Sequence, residues 1–145
     1  MIGSPIYFDF PTGVVRSFLE RLLFPILAYN PKIDAATGKW EMSLHKKTVP
    51  TAMIYTMGRT EEGAKEFRGT LDENTKFLQQ LFGYTETLCS YKTYQFDDYS
   101  RSDVMEGTEQ SRRKQREEQF PIHLKNAYAL GRRSVQKANT FASRV

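Results

Sequence analysis

The chain has 145 residues, 39% hydrophobic and 26% charged, with ten Phe and eight Tyr; that length fits one domain, residues 1–145, and that aromatic content excludes a disordered polypeptide. The most apolar stretch, residues 18–29, is broken by Glu20, Arg21 and Pro25, so no segment reads as membrane-spanning and the opening residues do not read as a secretory signal. A single cysteine, Cys89, excludes an internal disulfide and a multi-cysteine metal site, two histidines are too few for a His-rich centre, and a reducing, cytoplasmic compartment is expected.

The net charge of +4 belongs to the tail: residues 101–145 carry ten Lys/Arg against five Asp/Glu, whereas residues 1–100 carry eleven against twelve. Its centre is Arg112, Arg113, Lys114 and Arg116. Glu109, Glu117 and Glu118 flank that cluster, and residues 100–119 hold no aromatic side chain. It therefore reads as a solvated helix face, with no nucleic-acid partner, since single-stranded binding needs rings for the bases to stack on.

Taken in chain order, Thr12 to Leu27 has helical spacing, with Val14, Val15, Phe18, Leu19, Leu22, Leu23 and Ile26 on one broad face and Pro25 ending the last turn. Residues 29–47 have no sustained period and read as a long loop with a short hairpin around Ala36–Lys39. Thr48 to Thr56 reads as a strand buried on both faces, Pro50 near its start. A helix from about Gly69 to Phe82 follows, its stripe Leu71, Thr75, Leu78 and Phe82 stopped by Gly83. Glu86 to Tyr94 is the next strand, Gln95 to Gly107 a polar loop. A last helix spans Ser111 to Ala138, divided near Pro121, with Phe120, Leu124, Ala127, Tyr128, Gly131 and Val135 inward. Strands alternating with helices predict an α/β fold with a doubly wound parallel sheet. Two strands cannot make such a sheet, and Met1-Ile2-Gly3-Ser4-Pro5 reads as the end of another strand whose body precedes residue 1.

Gly3-Ser4-Pro5-Ile6-Tyr7-Phe8 leads from that strand end toward the first helix. Ligands of open α/β sheets bind beyond the carboxyl ends of the strands. A loop there with a small residue, a proline and two aromatics presents flat apolar faces and backbone amides to a planar heteroaromatic ring. The next strand ends in Tyr55-Thr56-Met57-Gly58 and supplies a second wall.

The loop Gly3–Phe8, with Thr12-Gly13 and the run Arg16-Ser17-Phe18-Leu19-Glu20-Arg21-Leu22, resembles the flavodoxin-like NAD(P)H-dependent FMN reductase family, in which a Gly-Ser-Pro-x-Tyr-Phe loop precedes a helix ending in an acidic residue and Arg. The strand end Ile54–Met57 and the stretch Phe82–Tyr99 are similar as well. The resemblance covers nearly the whole chain. It implies a flavodoxin-like sheet present from the last part of its third strand onward, as the C-terminal portion of the fold. It implies FMN as cofactor, NAD(P)H as electron donor, and hydride or electron transfer through the flavin. Ser4, Pro5, Ile6, Tyr7 and Phe8 match the loop bordering the flavin ring; Thr56, Met57 and Gly58 match its neighbour. Asp9 stands where relatives commonly have Gly, and Gly58 where they often have Asn. The family's N-terminal phosphate-binding loop, held at a helix N-terminus, has no counterpart in residues 1–145, so FMN binding by this chain is expected to be weak or absent.

The competing expectation is a non-catalytic remnant or association subunit that keeps the sheet-and-helix surface and binds no flavin; a homo-oligomer is expected in either case. No metal site is expected. Cys89, inside a strand and far from any histidine, reads as a structural thiol. His123 reads as a packing or surface residue, and Tyr91, Tyr94, Phe96 and Tyr99 as contacts beneath the last helix or at a subunit interface. The expected core is Val14, Phe18, Leu22, Ile54 and Leu78.

Overall fold

The computed structural model describes residues 1–101 and 107–143; the part of the predicted polar loop over residues 102–106 lies outside them. Strand β1 (Ile2–Tyr7) turns into the two-residue β2 (Phe10–Pro11), followed by α1 (Gly13–Leu23) and a 3-10 turn at Phe24–Ile26. Then come β3 (Val49–Thr56), a 3-10 turn at Gly63–Phe67, α2 (Arg68–Phe82), β4 (Gly83–Ser90), α3 (Glu109–Glu118) and α4 (Phe120–Ala142). The sheet order is β2-β1-β3-β4. Strands β1, β3 and β4 run parallel, and β2 closes an antiparallel hairpin on β1. The protein is thus α/β with a four-stranded, mostly parallel sheet.

Side-chain alternation along the strands sorts the layers. Ile6, Met53 and Tyr55 form one core with Leu19 of α1 and with Leu71 and Leu78 of α2. On the same face Thr87 bonds Thr75 of α2 through their hydroxyls at 2.7 Å. The opposite face meets α4, where Arg133 pairs with Glu86 at 2.7 Å and Phe141 packs near Tyr84. Helices on both faces are what a parallel sheet requires. Burial pushes the Tyr55 phenol up to about 12, because the phenolate would be stripped of water.

Most element positions follow the sequence pattern. Gly83 ends α2 in the left-handed conformation (φ 86°), where Gly alone is unstrained, and a Cβ there would meet Thr48 at 2.9 Å. Pro121 occupies the first turn of α4, separating it from α3, because that turn needs no N–H from it. The hairpin expected near Ala36–Lys39 is present: Gly38 N–H donates to Asp34 C=O and Asp34 N–H to Lys39 C=O.

Four expectations are corrected. The opening residues form a six-residue strand rather than a strand's last turn. The fourth strand is Gly83–Ser90, starting three and ending four residues earlier than expected, since Gln79 ties the helix end directly to Gly83 and Thr85. Of the expected core only Leu78 is fully buried; Val14 is 81% and Phe18 50% exposed, because α1 presses one narrow stripe, centred on Leu19, against the sheet. The inner stripe of α4 is shifted: Leu130 is buried, whereas Phe120, Leu124, Tyr128 and Val135 are exposed. Ala127, Gly131 and Ser134 of this helix are half-buried, and the larger apolar side chains stand exposed beside them.

Candidate functional site

Parallel pairing places the strand ends at one edge of the sheet: Pro5 lies beside Thr56, and Thr56 beside Ser90. Tyr7 and Phe8 therefore share the carboxyl end with Thr56, Met57 and Gly58, as the sequence led us to expect. Phe8 and Asp9 form the two-residue hairpin turn between Tyr7 and Phe10. Both have positive φ, 50° and 67°, as a type I′ turn requires. Asp tolerates that conformation better than most residues. Phe8 is 97% exposed and Tyr7 58%, so two aromatic side chains and the exposed Pro5 stand at the tip of the sheet.

The remaining site residues divide by orientation. Ser4 is buried, and its Oγ accepts from Thr12 N–H at 3.0 Å and donates to Pro5 C=O at 2.7 Å. It fastens β1 to the start of α1. Ile6 and Met57 belong to the core. Thr56 and Gly58 are half-buried, and Gln95 lies so close to Gly58 that an added Cβ would meet it at 2.6 Å; a side chain here displaces Gln95. The loop is well fastened: Met57 N–H donates to Ser90 C=O, and Thr93 N–H to Met57 C=O. The Arg112 guanidinium donates to Gly58 C=O at 3.0 Å and to Thr93 C=O at 3.1 Å. Arg112 is 2% exposed, and this corrects the reading of the basic cluster as wholly solvated. Its neighbours do face water, with Arg113 paired to Glu109 and Lys114 to Glu118.

Sequence reasoning missed a second feature at this end. Ser90 Oγ and His123 Nδ1 share a 2.7 Å hydrogen bond across 33 residues of chain, at the head of a cavity of about 210 Å³. Residues 90–94, Gln115, Arg116, Phe120 and His123 line it. Only the α4 register, invisible in an apolar count, brings His123 to the end of β4. Cys89, on the opposite face, lies 3.6 Å from Arg68 Nη1, and burial pushes its thiol up, the direction that disfavours the thiolate.

At the strand ends, exposed Pro5, Tyr7 and Phe8 stand on the same edge of the sheet as the Thr56–Gly58 turn, and a flat ring is the part of a flavin that such side chains suit. Among the described residues none is assigned to the phosphate. Compared with protein-family models, with curated proteins and with solved structures, the chain has no match. Among the described residues no group of His, Cys, Asp and Glu is arranged to hold a metal ion, and no helix is long and apolar enough to cross a membrane.

Proposed function

We propose that the chain supplies the flavin-ring-binding end of the sheet in a flavodoxin-like, FMN-dependent NAD(P)H oxidoreductase. One observation carries this reading: three parallel strands end in register, and an exposed aromatic pair stands beside the Thr56–Gly58 turn at that end, where open α/β sheets bind their ligands. Tyr7, Phe8 and Pro5 would border the ring on one side and Thr56, Met57 and Gly58 on the other. The flavin, when bound, supplies the hydride or electron transfer. The protein's share is to fix the turn and exclude water, which Ser4 and Arg112 serve by clamping β1 and the Thr56–Gly58 loop. With no phosphate anchor assigned, affinity rests on the ring contacts alone. Titrating the chain into FMN tests this: saturable fluorescence quenching at tens of micromolar is the expected result, and its absence at millimolar protein overturns the reading.

A second reading is favoured by another observation. Leu124, Tyr128 and Val135 expose an apolar flank of α4, and Met1 lies 3.6 Å from the Cβ position of Gly131, which joins that flank to the β1 side of the sheet. Such a surface suits an association subunit that binds no flavin, and failed FMN quenching together with self-association would support it.

A further inference from the structure

We propose that the cavity beyond the carboxyl end of β4 binds a small aromatic carboxylate. The site stands apart from the proposed ring site, since the β1–β2 hairpin and the cavity lie on opposite sides of β3. Beside hydroxyls and one amide, its charged side chains are of one sign. Lys92, Arg116 and His123 line it, and none of the described lining residues is acidic. Arg116 rests 5.2 Å over the Tyr94 ring and enters no ion pair among the described residues, so its guanidinium fork remains available to a carboxylate, the geometry it matches best. Ser90 is 5% exposed and linked to His123. When the imidazole is protonated its Nδ1–H donates to Ser90 Oγ, which frees the hydroxyl proton for an anionic oxygen. Phe120, Tyr91 and Tyr94 provide the apolar walls. About 210 Å³ falls below the range of drug-sized sites, roughly 300–1,000 Å³, and suits one ring bearing one acid group.

The test is NMR of the histidine rings in the full chain, titrated with benzoate and separately with inorganic phosphate at constant pH and ionic strength. His45, the only other histidine, lies in the loop before β3 and serves as internal control. The expected result is a saturable shift of His123 alone at millimolar benzoate, with phosphate at least tenfold weaker. Arg116 is exposed on its helix, so Arg116→Gln should fold normally, as circular dichroism will check, and should weaken benzoate about tenfold through loss of a charged hydrogen bond. No saturable His123 shift, an equal shift of His45, phosphate binding as tightly as benzoate, or an unaffected Arg116→Gln variant would each overturn the proposal.

Discussion

Phe8 is the most exposed large apolar residue of the described chain and is also held in the left-handed backbone region. A bulky L-residue there is strained by about 1–2 kcal/mol, and no packing of its ring repays that cost. Glycine would remove the strain, although its freer unfolded chain returns about 0.5–1 kcal/mol. Phe8→Gly is therefore expected to raise stability by about 0.5 kcal/mol in urea unfolding while reducing FMN quenching severalfold. A variant that loses stability would show that the ring packs on the fold rather than serving a ligand. Strain retained at an exposed ring is the pattern of a functional position. That this segment ends at the same edge of the sheet as Thr56 was legible in the sequence, because strands joined through helices run parallel. The division of labour inside the segment was not: Ser4 and Ile6 face inward, and only the strand's register decides that.

At the scale of the element, helix and strand positions were readable because period, proline and glycine act locally. Which apolar side chains go inside was not, because that depends on the neighbour each helix meets. An apolar side chain contributes in proportion to the area it loses to water, so the two helices make opposite predictions for similar residues. Leu78→Ala, in the α2 layer with no exposed surface, is expected to cost about 2–5 kcal/mol. Val14→Ala, on the outer side of α1, is expected to change stability by less than about 0.5 kcal/mol. Urea unfolding of the two variants checks this; equal losses would mean that α1 buries a second stripe. The same logic explains His123. Its sequence neighbours Pro121 and Leu124 carry no sign of a site, and only the packing of α4 beside β4 brings it to Ser90.

For the molecule as a whole, β3 is the inner strand, paired to β1 over Met53–Thr56 and to β4 along its whole length. The uncovered surface is the α4 side of β1, where Gly3, Pro5 and Tyr7 are exposed, next to the apolar flank of α4. Parallel sheets rarely leave such a surface in water. Self-association through this flank is expected, so the unfolding midpoint should rise with protein concentration, and Tyr128→Lys should abolish the rise. A midpoint independent of concentration would count against it. Arg112 has a wider consequence. One guanidinium bridges the turn after β3 and the segment after β4, and one helical turn further along α3 stands Arg116 at the mouth of the cavity. The proposed ring site and the cavity thus hang on a common strut. By reciprocity, whatever an anion in the cavity does to the grip on a planar ring, the ring does in equal measure to the grip on the anion.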